Sequence, residues 1–420
     1  MIRTRTLPSG VRVVSEKLDT VHSCAIGLFA QVGSRDEPDQ EAGISHFIEH
    51  MLFKGTSRLN AQKLADLINY LGGNINAFTS QEMICLHAKT VGGKAARTID
   101  LLGEMLLDST FPPHEIRRER QVVLEEYKMY EDSPDELSVD MFLKNLWPRH
   151  PLGRPVIGRR GTIRRFSREG IGQYWRRALH PQRVLIAISG QFDSRACSRA
   201  INKWFGRMEA RDKPLPESAN GAPATQPRQS YLRRPVEQAH FCLGMSGPDH
   251  YSSQRYAFGL MNMILGGGMS SRLFQEVREK RGLAYSIGSF TQLFRDAGYI
   301  AVSGGASPES ADEVLAITMA EIEKMCQDEP PLRELELVRE QILDTMLMSH
   351  ENTDARMMRM ADSILHHGRV IPLDESERAL RRVKPCDVLE VAQKYLADGP
   401  IAMASIGPSE GRLPLRARRR

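Results

Sequence analysis

No stretch of this chain approaches the roughly 18 consecutive apolar residues that a membrane-spanning helix needs, so no membrane span is expected. No CxxC pair or short cysteine framework occurs either. Cys24, Cys85, Cys197, Cys242, Cys326 and Cys386 are scattered, which argues for free thiols and against disulfides or a cysteine-based zinc site. A marked excess of one charge is also missing. Lys plus Arg number 57 against 52 Asp plus Glu, and a net +5 excludes a dedicated nucleic-acid binder. The one dense basic run, Arg416, Arg418, Arg419 and Arg420, reads as a solvated tail. The N-terminal segment has no apolar core of the secretory kind, so the expectation is a cytoplasmic protein. With 41% hydrophobic and 26% charged residues, the 420 positions suit a globular chain of two domains.

Residues 209–229, rich in Pro, Ala, Ser and Gly and without apolar period, read as a linker between domains 1–208 and 230–420. Both halves follow one order: a strand-like run (near 23–34 and 239–249), a helical stretch, a Gly-containing turn with further strands, amphipathic helices, and a short apolar strand. Strands and helices mix without a regular βαβ rhythm, which predicts α+β architecture with mainly antiparallel sheets in two homologous domains. Two unrelated α+β domains are the alternative.

What is present is sharper. His46-Phe47-Ile48-Glu49-His50 follows an acidic lead-in, Asp39 and Glu41, and precedes a stop at Gly55, which together predict a helix. Positions i and i+4 share a helix face, so the imidazoles of His46 and His50 converge on one ion. Glu49 stands beside that face, within reach of a water and not itself needed as a ligand. Two neutral imidazoles, a carboxylate and an open position suit zinc, one ion per chain. Residue frequencies give roughly 0.04 chance occurrences of H-x-x-[DE]-H. The competing reading is a half-buried helix whose histidines only pack.

A third ligand should be a carboxylate on a second helix, and residues 114–130 carry the pattern. Glu119 and Glu126 are seven apart, nearly two turns, on a face expected to hold Val122 and Val123. Glu125 turns about 100° away. Carboxylates among valines need a partner, and a cation is one. Glu126 is read as the ligand and Glu119 as a second carboxylate of the catalytic machinery that orients a ligand or tunes the site. A solvated Glu/Arg surface, with Arg117, Arg118 and Arg120 alongside, is the alternative.

H-x-x-E-H is the inverted zinc motif of the inverzincins. The chain resembles the pitrilysin-type metallopeptidases, most closely the small branch of the mitochondrial processing peptidase and its bacterial relatives. Glu126 stands 76 positions after His50, the family's spacing for its third ligand, and Glu119 matches a further acidic position. The resemblance spans nearly the whole chain. It implies two homologous α+β domains whose halves or subunits enclose a chamber, with the metal in the motif half; residues 230–420 contain no H-x-x-E-H. It implies that 72–80 is an edge strand beside the metal, where Asn76, Ala77 and Phe78 meet an extended peptide through main-chain hydrogen bonds. Ile84, Leu86 and His87 depart from the threonine and tyrosines of many relatives, and His87 reads as a packed or surface strand residue. Arg278 and Tyr285 match a pair supplied by the opposite domain, the Arg fixing a substrate carbonyl and the Tyr supporting the developing oxyanion.

Residues 265–270, with Gly267, resemble the glycine-rich loop of the processing peptidase's non-catalytic subunit, implied to assist substrate entry. They lack the P-loop Lys, so no phosphate cradle is expected. Met346, Met357 and Met360 recur at spacings of one helical face and read as core. The expectation is a zinc endopeptidase acting on peptides or unfolded segments, with Glu49 as base and then acid. Long members of the family hold four domains and this chain two, so a homodimer or a heterodimer with a related chain is expected. The other reading is a non-catalytic structural or partner subunit.

Overall fold

The structure, a computed structural model, describes residues 2–72, 74–209, 223–397 and 399–408. The alternating and apolar runs form two sheets. In the first, β1 (Ile2–Thr6), β2 (Arg12–Lys17), β3 (Ser23–Ala30), β4 (Asn74–Thr79), β5 (Ile84–Val91) and β6 (Val184–Gly190) lie in the order β1-β2-β6-β3-β5-β4. In the second, β7 (Gln229–Arg233), β8 (Ala239–Gly247), β9 (Ala284–Leu293), β10 (Gly298–Ala306) and β11 (Ala402–Gly407) lie in the order β7-β11-β8-β10-β9. Apart from β1, the two orders match strand for strand. One pairing in each is parallel, β2 with β6 and β7 with β11, and the others are antiparallel. The fold is the duplicated, mainly antiparallel α+β arrangement that the order of elements implies. Burial follows position: interior β6 is buried throughout and edge β1 exposed throughout.

The compact units differ from the division 1–208 and 230–420. One gathers the described residues of 1–128, 154–219 and 346–371, the other those of 129–153, 220–345 and 372–420. Each half of the chain therefore lends a helix to the other unit. Thr353–His367 packs on β3 and β6, burying Met357, Met360 and Ile364 with Val14, Ala25, Phe29, Leu185 and Ala187. Pro134–Leu146 packs on β8 and β11, burying Phe142, Leu143 and Leu146 with Cys242, Ala402 and Ala404. An apolar helix face records that it must be covered, not which sheet covers it, so the compact units do not follow the continuous halves. Met346 belongs to a separate helix, Leu332–Ser349, and does not share a face with Met357 and Met360. Of the expected linker, 210–222 lie outside the described residues. No described helix is long and apolar enough to cross a membrane.

Candidate metal centre

The helix Ile44–Met51 is short and two-faced. Ile44, Phe47, Ile48 and Met51, at spacings of three, four and seven, are buried, which leaves His46, Glu49 and His50 half-buried on the opposite side. Its start is fixed from outside. Gly43 holds φ at 93°, and a Cβ there would stand 2.6 Å from the Ile157 carbonyl oxygen, so only glycine fits. The buried Glu37 carboxylate accepts from the backbone N–H groups of Gly43 (2.7 Å) and Ser45 (2.8 Å), a negative group at the positive end of the helix. Burial pushes the Glu37 carboxyl up to about 7, against those two bonds and the nearby Arg154.

The helix Pro113–Glu131 brings the carboxylates. Glu126 Oε1 lies 3.5 Å from His46 Nε2, and its Oε2 lies 3.4 Å from His50 Nε2. One donor atom from each of the three residues falls within 4.8 Å of the others. His50 Nδ1 donates to Glu119 Oε1 at 2.9 Å, and Lys54 Nζ holds Glu119 Oε2 at 2.7 Å. Glu119 thereby decides which nitrogen of His50 faces Glu126. Val123 is buried beside this face, whereas Val122 is half-exposed: the two valines stand about 60° and 40° to either side of Glu119, and only the Val123 flank is covered. Glu125 also points elsewhere and pairs with Lys128.

Burial disfavours a charge on His50, yet the hydrogen bonds to Glu119 and Glu126 overcome it and lift the imidazole to about 9. Hydrogen bonds from His46 and His50 hold the Glu126 carboxyl well below its ordinary range. His46 Nδ1 is buried and has no hydrogen-bond partner. Two imidazoles and a carboxylate that draw positive charge between them fit a divalent cation, and the donor set is that of zinc.

Glu49 Oε2 accepts a 2.6 Å hydrogen bond from Thr79 Oγ1 at the end of β4. β4 is the edge of its sheet and lies against the motif helix. Along it Asn76 and Phe78 are exposed and Ala77 is buried; Asn76 Oδ1 accepts from the Ala77 N–H. His87 sits opposite Asn76 on β5 with its ring 6.0 Å from that of Phe78, and burial holds its imidazole below its ordinary value. The turn after β4 is clamped: Ser34 and Arg35 donate backbone N–H bonds to the Ser80 and Gln81 carbonyls, and the fully buried Arg35 side chain meets Glu82 at 2.5 Å. Sequence reasoning missed Glu37, Lys54 and the hydroxyl of Thr79. Two faint signals existed: Lys54 is four residues after His50, and Thr79 shares Ala77's side of the strand.

The remaining candidates stand in the other unit. The Arg278 guanidinium lies over the ring of Tyr285 at 4.7 Å, and Tyr285 is 78% exposed. The glycine-rich segment is partly helical: Arg255–Gly266 is a helix, and Gly267 caps it. A Cβ on Gly266 would stand 2.4 Å from the Ser289 backbone nitrogen, so that glycine serves close packing, while Gly268 faces open space apart from Gln341. The six cysteines are free thiols, four of them buried.

Two family models match the chain. The insulinase-type peptidase M16 family covers residues 12–160, and the peptidase M16 inactive domain covers 165–342. The chain is 36% identical over 416 residues to an uncharacterized zinc protease of Bacillus subtilis (strain 168), covering 99% of this chain and 100% of that one. It is 35% identical to a similarly named protein of Mycobacterium tuberculosis (strain ATCC 25618 / H37Rv), covering 97% and 93%. The crystal structure of a protease from Helicobacter pylori superposes with a TM-score of 0.89 at 23% identity, covering 97% and 99%. A chain of complex III2 from Candida albicans gives 0.83 at 17% identity, covering 98% and 97%, a likeness of fold. The duplicated sheets, both family matches and near-full-length identity with these relatives lead to one assignment: the chain belongs to the insulinase-type peptidase family M16.

Proposed function

We propose that this chain is a zinc-dependent endopeptidase acting on peptides or unfolded polypeptide segments. The observation that carries the reading is the convergence of donor atoms of His46, His50 and Glu126 within 4.8 Å, with Glu49 on the helix that bears both histidines. The names of the relatives, zinc proteases, support it. His46, His50 and Glu126 would hold one zinc ion, whose Lewis acidity polarises a carbonyl and acidifies a water. Glu49 takes a proton from the water as its oxygen attacks the scissile carbonyl carbon. It then delivers that proton to the leaving nitrogen as the C–N bond breaks, giving a carboxylate and an amine. The β4 edge, at Asn76, Ala77 and Phe78, holds an extended substrate by main-chain bonds, which fix its position without demanding one sequence. Arg278 and Tyr285 steady the substrate carbonyl and the developing oxyanion, and the segment at Gly267 assists entry. The working form pairs two such chains, or this chain with a related one, around an enclosed chamber in the cytoplasm.

A non-catalytic partner subunit is the second reading; the inactive-domain match lies over 165–342, outside the half that holds His46, Glu49, His50 and Glu126. The Glu49→Gln variant separates the two. It is expected to bind one zinc per chain and to lose turnover by on the order of a thousandfold. Absence of stoichiometric zinc from the purified wild type would favour the partner subunit, and full turnover in the variant would remove Glu49 from the mechanism. A chelator is expected to abolish cleavage of a peptide library and added zinc to restore it.

A further inference from the structure

We infer that Thr79 is a positioning residue that ties the general base to the strand on which the substrate lies. The inference rests on the peptidase reading and assigns one more side chain to the same site. Among the described residues, Thr79 Oγ1 is the hydrogen-bond partner of Glu49, at 2.6 Å on Oε2. A glutamate has three rotatable side-chain bonds, and the bond to Thr79 is the polar contact that restrains where the Glu49 carboxylate points among the described residues. The hydroxyl does so twice over. It selects one rotamer, and by occupying Oε2 it leaves Oε1 as the oxygen that accepts the proton and returns it.

Where the hydroxyl comes from matters as much as the bond. Thr79 is the last residue of β4, two positions beyond Ala77 and therefore on the side that meets the motif helix. The backbone of β4 is what an added strand would register against. Thr79 thus fixes the distance between the base and the register of the scissile bond through a hydroxyl one rotatable bond from that backbone. The frame around it is stiff. The Ser80 and Gln81 carbonyls accept from Ser34 and Arg35, and the same segment continues to Glu37, which holds the N–H groups at the start of the motif helix. The end of the edge strand and the start of the helix are two ends of one braced loop, and the Thr79–Glu49 bond closes it.

A positioning role predicts a particular split. Thr79→Val keeps the shape and the β propensity but removes the donor. Its kcat should fall roughly ten- to a hundredfold, the range of a charge-assisted hydrogen bond lost from the reacting geometry. KM, zinc content and the unfolding midpoint should stay at wild-type values, because the strand backbone and the donor set are untouched. Thr79→Ser restores the hydroxyl and should restore kcat to within a few-fold; Thr79→Ala, which asks less of the packing, should reproduce the Val result. Wild-type kcat in both Val and Ala overturns the inference. So does an equal loss in Ser, which would assign the effect to the methyl group, and so does a rise in KM at unchanged kcat. Failure of the peptidase reading shows elsewhere, as Glu49→Gln retaining turnover, whereas an active Thr79→Val beside an inactive Glu49→Gln sinks only the role of Thr79.

Discussion

His50 is held by two carboxylates with different tasks. Glu126 faces its Nε2, and Glu119 accepts the hydrogen bond from Nδ1–H while Lys54 neutralises the outer oxygen. A ring bonded this way keeps Nε2 aimed at Glu126, so the proposed ligand needs no reorientation when a cation displaces the proton from Nε2. Glu119→Ala removes the bond and leaves the ring free to turn or change tautomer. Zinc affinity should drop roughly ten- to a hundredfold, read by competition against a chelator of known affinity. Glu119→Gln keeps an acceptor for Nδ1 and should lose less. Equal affinity in wild type and Glu119→Ala would show that the ring is steered by packing alone. At this scale the sequence was readable where chemistry is local. The i, i+4 pair and the seven-residue step from Glu119 to Glu126 follow from helix geometry, whereas Glu37, Lys54 and Thr79 meet their partners only after separate segments fold together.

The motif helix is eight residues long, too short to persist on propensity, and is held in place by its apolar face and by Glu37 at its start. The sequence hints at that helix through Asp39 and Glu41, but those residues form a separate short turn before Gly43, and the carboxylate that reaches the helix is Glu37. Its burial has a consequence for pH. The ordinary carboxyl value is 4.5 and the folded value about 7, so between these the folded chain keeps a proton that the unfolded chain has released. Stability from this group therefore falls as pH rises through that window and is lost in full above it. Glu37→Gln cannot titrate. The wild-type stability minus that of Glu37→Gln should decline by up to about 3 kcal/mol from pH 4.5 to pH 7.5, measured by denaturant unfolding across a pH series. Other titrating groups cancel in that difference. A flat difference would mean that the bonds from Gly43 and Ser45 hold the carboxyl near its ordinary value.

At the scale of the molecule, the repeat of strand order was legible because each half carries the same succession of apolar runs. The exchange of helices was not, since Thr353–His367 and Pro134–Leu146 are amphipathic segments that would suit either sheet. What assigns Thr353–His367 to the first unit is side-chain detail. Met357 Sδ lies where a Cβ on Gly27 would collide at 2.6 Å, Arg356 meets the buried Glu16 at 2.8 Å, and Lys89 meets Asp354 at 2.7 Å. Without this helix the first unit would expose Val14, Ala25, Phe29, Leu185 and Ala187 and leave Glu16 without its guanidinium partner. The proposed metal ligands sit in that unit, yet residues that complete its core come from beyond position 345. A fragment of residues 1–209 should therefore be aggregated or unfolded when produced alone, and should bind zinc no better than an unfolded chain. Produced together with 223–420, it should recover a cooperative unfolding transition and stoichiometric zinc, because each piece then receives the helix it lacks. A soluble, cooperatively folding, zinc-loaded 1–209 fragment would show that the exchanged helix adds little to the first unit, whatever area it covers.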